Sequence, residues 1–173
     1  MRIGIYGGSF NPIHFGHKGL VKWILEHSDL DGIWMLVSPQ SPHKTDRTDL
    51  DANFQQRLEA ARKAMADVPR VVVSDFERNL PIPSYTANTL RELTKTYPEY
   101  EFSLIIGEDN WDVFNTWREW NYILENFRIF VYPRHIKEKS SVNDTEFPKN
   151  VVFLKGAPYF DISSTQIRNE ITK

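Results

Sequence analysis

Two histidines, His14 and His17, flank Gly16 in the run Gly7-Gly8-Ser9-Phe10-Asn11-Pro12-Ile13-His14-Phe15-Gly16-His17. Imidazole nitrogens can donate hydrogen bonds to phosphate oxygens, and a glycine between the rings lets both reach one ligand. The flanking pattern supplies a place for such an anion. Arg2 to Tyr6 is a short apolar run with β-branched residues, which predicts a buried strand. Gly7-Gly8 punctuates it, Asn11-Pro12 marks a turn, and from His17 onward Leu20, Val21, Ile24 and Leu25 share a helical face. A strand passing through a glycine turn into a helix offers free backbone N–H groups and the positive end of a helix dipole. In a purely structural reading one histidine caps the helix and the other packs beneath the loop. The composite run favours a phosphate site over that reading. A metal site on His14 and His17 would lack an acidic partner within the motif.

Three later stretches offer chemistry of the same kind. The run Phe102 to Ile106 predicts a buried strand ending at Gly107-Glu108-Asp109. There Gly107 would let a ligand approach the backbone, and Asp109 could accept hydrogen bonds from ribose hydroxyls or cap the following helix. Two prolines and a Ser/Thr cluster place a helix start at Ser84 to Ala87, and such a terminus suits a carboxylate as well as a phosphate. Near the end, Ser163 and Gln166 fit a capping box, and Arg168 lies one turn beyond Ser164. Hydroxyls, N–H groups and a guanidinium could therefore converge on one triphosphate.

The elements that must position these groups alternate along the chain. Strands are expected at Ile33–Val37, Val71–Val73, Arg128–Tyr132 and Val151–Leu154, and helices over Asn53–Ala66 and from Thr86 to about Tyr97. Trp111, Phe114, Trp117 and Trp120 recur at helical spacing, which predicts that most of them pack in the core. Polar, proline-broken stretches at 39–53 and 135–150 read as surface loops. Such alternation predicts a Rossmann-like, doubly wound α/β fold with a parallel sheet covered on both faces, in a single domain.

Composition narrows the function. The 173 residues carry a net charge of −2, which argues against gripping long nucleic acid through a basic face but leaves nucleotides open. A 40% hydrophobic and 25% charged chain is that of a soluble globular protein. The absence of cysteine removes disulfides, thiolate catalysis and cysteine zinc sites. No charged leader with an apolar stretch precedes the first strand, and no apolar run is long enough to span a membrane, so a cytoplasmic enzyme is expected.

The amino-terminal run resembles the signature of the nucleotidyltransferase superfamily that carries a His-x-Gly-His motif. Its members attack the α-phosphorus of a nucleoside triphosphate and expel pyrophosphate. The tail Ile162-Ser163-Ser164-Thr165-Gln166-Ile167-Arg168 resembles the superfamily's second signature, Ile-Ser-Ser-Thr-x-x-Arg. Within the superfamily the chain most resembles the bacterial nicotinate mononucleotide adenylyltransferases. Ser84-Tyr85-Thr86-Ala87-Asn88-Thr89-Leu90 is similar to their Ser-Tyr-Thr-x-x-Thr-Leu stretch, and Ser41-Pro42-His43-Lys44 to their Pro-Pro-His-Lys segment, with Ser41 in place of the first proline.

The resemblance implies adenylyl transfer from ATP to nicotinate mononucleotide, giving deamido-NAD and pyrophosphate. It implies that His14, His17, Lys44 and Arg168 steady the transition state. ATP would be held by Gly8, Ser9, Phe10, His17, Gly107, Asp109, Ser163, Ser164, Thr165 and Arg168. The mononucleotide would be held by Ser9, His43, Lys44, Tyr85, Thr86, Trp117 and Arg134, with Trp117 stacking on the pyridine ring. Mg²⁺ would ride mainly on ATP phosphates, without a dedicated protein cage. ATP and nicotinate mononucleotide are the expected partners, with no long nucleic acid and no membrane, and homo-oligomerisation is left open. Two alternatives remain: a phosphopantetheine adenylyltransferase, which shares both terminal signatures but not the Ser84-Tyr85-Thr86 stretch, and a nucleotide-binding regulator without turnover.

Overall fold

The computed structural model describes residues 1–8, 10, 13, 15–39, 54–81, 85–134 and 148–158. In chain order these form β1 (Arg2–Gly8), α1 (Phe15–His27), β2 (Gly32–Val37), α2 (Phe54–Met65), β3 (Val71–Ser74), a 3₁₀ turn (Phe76–Asn79) and α3 (Thr86–Thr96). Then come β4 (Glu101–Gly107), α4 (Glu108–Asp112), a second 3₁₀ turn (Phe114–Thr116), α5 (Trp120–Asn126), β5 (Arg128–Tyr132) and β6 (Val151–Phe153). The six strands make one sheet in the order β3-β2-β1-β4-β5-β6, every neighbouring pair parallel. The doubly wound α/β fold expected from the sequence is thus the one observed.

Both faces of the sheet are covered, which is why its central strands read as unbroken apolar runs and not as alternating ones. On one face Ile33, Met35 and Val37 of β2, Ile105 of β4 and Phe130 of β5 pack against Leu20, Val21 and Ile24 of α1 and Leu58 and Ala61 of α2. On the other, Ile3 and Ile5 of β1, Leu104 and Ile106 of β4 and Ile129 and Val131 of β5 pack against Ala87, Leu90 and Leu93 of α3 and Ile123 of α5. Adjacent residues of one strand fall in different cores, as a period of two requires. At Gly4 a Cβ would lie 2.7 Å from Ile105 Cδ1 and 2.8 Å from Leu30 Cδ1, so the ends of those side chains would have to shift to admit one.

One expectation changes. Gly7-Gly8 does not end β1: the ladder with β2 continues to Gly8 opposite Val37, and the Ser38 N–H then donates to the Gly8 carbonyl at 2.9 Å. The tryptophan run packs on the second core, as its spacing predicts, without forming one helix. It is α4, a 3₁₀ turn and α5 in succession, with Trp117 extended (φ −74°, ψ 146°) and Glu119 left-handed (φ 55°) between them. The expected cap Asn53 and the loops at 40–53 and 135–147 lie outside the described residues.

Candidate active site

β1 has β2 on one side and β4 on the other, and the chain leaves β1 for one core and β4 for the other. Such a switch of direction opens a crevice at the carboxyl ends of the strands, where open α/β sheets bind ligands. A cavity of about 560 Å³ lies there, with Gly7 and Gly8, Gly107, Tyr85 and Thr86, and Trp117 on its wall.

Each side of this cavity is set by local structure. Tyr85 is the N-cap of α3 in extended geometry, with no side-chain hydrogen bond to the first turn. Of the first-turn amides, the Thr86 N–H therefore has no partner within the helix, as at any α-helix start. The Arg118 guanidinium lies 4.8 Å above the centre of the Tyr85 ring, adding positive charge beside that turn. Trp117 leaves the second 3₁₀ turn with its ring tilted against Phe114, centroids 5.2 Å apart. It presents an aromatic face that is held from behind.

At the glycine end, Phe10 takes a left-handed backbone (φ 47°) and turns its ring inward, 4% exposed. The ring meets His17 edge-on at 5.1 Å and Tyr6 edge-on at 5.5 Å. Phe10 therefore braces the imidazole of His17, the third residue of α1, and its ring is not available for stacking on a base. Tyr6 lies beside Tyr132 at 6.0 Å. Burial pushes the Tyr6 hydroxyl well above its ordinary range, Tyr132 adds to this, and Arg134 opposes it. The Tyr132 hydroxyl is also raised, again chiefly by burial.

Gly107 makes room for two side chains from different elements. A Cβ at this position would lie 2.7 Å from both Arg134 Cγ and Asp109 Oδ1. Arg134 Nε stands 3.8 Å from Asp109 Oδ1, and both side chains remain about half exposed. Gly107, not Asp109, is the N-cap of α4.

A sequence model of the cytidylyltransferase-like family matches residues 5–170. The chain belongs to this family. A Flavobacterium johnsoniae member, named a probable nicotinate-nucleotide adenylyltransferase, is 46% identical over 171 residues, spanning 99% of this chain and 86% of that one. A Bacteroides fragilis protein of the same name is 45% identical over 170 residues, spanning 98% of this chain and 82% of the other. In three dimensions the chain is similar to Plasmodium falciparum nicotinic acid mononucleotide adenylyltransferase complexed with NaAD, with a TM-score of 0.76 and 20% identity over 97% of this chain and 82% of that one. The resemblance drawn from the terminal motifs is borne out by these relatives.

Of the family residues expected at the site, Gly8, Tyr85, Thr86, Gly107 and Trp117 are brought to one cavity. His17 and Phe10 pack beside it through Tyr6, and Asp109 and Arg134 meet above Gly107. Ser9, His14, His43, Lys44, Ser163, Ser164, Thr165 and Arg168 lie outside the described residues. Among the described residues no group of three or more His, Asp or Glu side chains converges as a metal site would require. Glu77 on the wall and Arg57 beside it were not singled out by sequence. Glu77 and Thr89 bond to each other on the wall at 2.6 Å. Buried Arg57 of α2 donates to the Ser38 carbonyl at 2.8 Å, fixing the chain where it leaves β2. Glu77 stands among the polar residues Asp75, Arg78 and Asn79, so nothing local hints at either contact.

Proposed function

We propose that this protein transfers the adenylyl group of ATP to nicotinate mononucleotide, giving deamido-NAD and pyrophosphate. The observation that carries the reading is the cavity itself, where the first turn of α3, the face of Trp117 and the glycines of β1 and β4 meet. Its parts suit the two ends of such a reaction: an aromatic platform and N–H donors for a pyridine carboxylate, and a glycine-lined crevice for phosphates. The names of full-length relatives at 45–46% identity support the same assignment.

In this reading the mononucleotide phosphate is already ionised at neutral pH and attacks the α-phosphorus directly. The new P–O bond forms as the bond to the β-phosphate bridging oxygen breaks, and pyrophosphate leaves. No general base is needed, so catalysis rests on alignment and on neutralising charge. His14, His17, Lys44 and Arg168 are assigned that work, with Asp109 on the ATP ribose and Arg134 near the nucleotide. Trp117 stacks on the pyridine ring, and Tyr85 and Thr86 supply N–H groups to its carboxylate. Magnesium would arrive on ATP, held mainly by its phosphate oxygens. No helix among the described residues is long and apolar enough to cross a membrane. The cytoplasm is the compartment this reading assigns.

The test is pyrophosphate release with ATP and each of nicotinate mononucleotide, nicotinamide mononucleotide and phosphopantetheine. A carboxylate only accepts hydrogen bonds, while an amide turns an NH₂ toward one of the donors. That mismatch should favour the acid by roughly tenfold to over a hundredfold in kcat/KM. Equal efficiencies, or preference for either other acceptor, would remove the assignment.

A further inference from the structure

Glu77 is the buried acid on the cavity wall that the reaction above does not use. It sits in the 3₁₀ turn Phe76–Asn79 and is 7% exposed. Its Oε2 lies 2.6 Å from Oγ1 of Thr89, a residue of α3 that is 3% exposed. The same Oγ1 lies 3.3 Å from the Tyr85 carbonyl oxygen, which also accepts the Thr89 N–H at 3.1 Å.

A hydroxyl carries one proton, so the Thr89 side chain cannot serve both oxygens at once. With Glu77 ionised, Thr89 donates to the carboxylate and gives up the Tyr85 carbonyl. With Glu77 protonated, the carboxyl O–H donates to Thr89 Oγ1 and the threonine proton goes to Tyr85. The Tyr85 carbonyl and the Thr86 N–H belong to one planar trans peptide and point in opposite directions. Holding the carbonyl down the helix therefore aims the N–H out of it, toward the cavity.

Resting on the assignment of the acceptor pocket above, we infer that Glu77 is a positioning residue that, in its neutral form and through the Thr89 hydroxyl, orients the Tyr85–Thr86 peptide for a pyridine carboxylate. Burial raises the Glu77 carboxyl from 4.5 to about 7, so both forms are populated near neutrality. A second carboxylate entering the pocket favours the neutral form further, because like charges in one site cannot both ionise cheaply. Acid binding is then coupled to proton uptake at Glu77, and amide binding is not.

The other titratable groups facing this site among the described residues are few. Tyr6, Tyr85, Tyr132 and Arg118 share the cavity wall. On its own turn, Arg78 reaches away to Gln55 and Phe54, and Asp75 is the preceding cap. β2, packed beneath, has no ionisable residue, and Arg91 of α3 is paired with Glu119. The tyrosines at the wall with resolved shifts move upward, out of the neutral range.

The readout is the ratio of KM for nicotinamide mononucleotide to KM for nicotinate mononucleotide between about pH 6.5 and 8.5. Taking the ratio cancels titration of the shared phosphate and of groups acting on ATP. In the native enzyme the ratio should fall by roughly tenfold as pH rises, the effect of about one unit of coupling. Glu77→Gln keeps a donor toward Thr89 but does not titrate, and should give a high, flat ratio with KM for ATP unchanged. Thr89→Val should lower the ratio at every pH and Thr89→Ser should restore it, with circular dichroism confirming both folds. A pH-independent ratio in the native enzyme, or a slope that survives Glu77→Gln, would overturn the inference. Pyrophosphate release with neither mononucleotide would instead overturn the function on which it rests.

Discussion

The two ends of the sheet treat charge in opposite ways. At the amino ends of the strands, Arg128 grips Asp29 with two bonds of 2.7 and 2.9 Å, and Arg2 reaches Asp29 at 2.7 Å and Glu101 at 3.3 Å. Every partner there is paired and substantially exposed. At the carboxyl ends, Glu77 is buried with the Thr89 hydroxyl as its hydrogen-bond partner among the described residues, and Tyr6 and Tyr132 are buried on the same wall. The same functional group therefore ends in different states. The Asp29 carboxyl is held below its usual range, first by the hydrogen bond from Arg128, whereas burial pushes Glu77 up to about 7. Exposed, paired charges contribute little and ask little. Buried, underpaired ones cost stability and are kept where a ligand will meet them.

The sharpest way to break this contrast is at His17, braced by Phe10 at the carboxyl end. His17→Ala should lower turnover by roughly a hundredfold to a thousandfold, the loss of one preorganised donor, with the fold intact. Near-normal turnover in a folded variant would return His17 to packing. Next is the stability cost of Glu77. The native state holds the proton until about pH 7, while the unfolded chain releases it near 4.5. The stability present below pH 4.5 is therefore lost as pH rises toward and through 7, a change on the order of 3 kcal/mol. Urea unfolding at pH 5 and 8 should show that loss in the native chain and not in Glu77→Gln. The same pH response in both would mean that the carboxyl is solvated.

A smaller effect is expected at Trp117. Stacking is worth about 0.5–1.5 kcal/mol, so Trp117→Ala should raise KM for acid and amide alike by roughly tenfold or less. Most of their ratio should remain, because both rings stack similarly. A collapse of the ratio would mean that the tryptophan, and not the turn of α3, reads the carboxylate. The smallest effect is predicted at the opposite end, where Arg128→Ala should cost under about 1 kcal/mol, shrinking in high salt, with kcat unchanged. Since Asp29 has a depressed pKa, its contribution should hold above the ordinary carboxylate range and vanish as pH falls through the lowered value. A larger, salt-independent loss would erase the distinction between the two ends.

How legible all this was in the sequence depended on distance along the chain. Strands buried on both faces announced themselves as apolar runs, whereas the packing at Gly107 involves Arg134, twenty-seven positions on and beyond another strand, and could not be read from the local run. Spacing at Trp111 to Trp120 read the packing of the rings on the core, but not the backbone beneath them, which is three short pieces broken by a left-handed Glu119. Trp117 owes its place on the cavity wall to that break. Glu77 read as part of a plain loop because its meaning comes from Thr89, twelve positions on and in another element. Arg57 depends in the same way on Ser38, nineteen positions before it.

The place of β1 in the middle of the sheet has a consequence for synthesis. Its partners are β2, which follows directly, and β4, which begins only at Glu101. At ~5–20 residues per second on the ribosome, the first strand waits for seconds with one apolar edge unpaired. The glycines of β1 and the turn at 107 face each other only when that wait ends, so the crevice between them cannot engage a ligand on a half-made chain. Slow translation before residue 101 would prolong the exposed state, and a chaperone that shields a single open strand edge is the assistance this topology calls for.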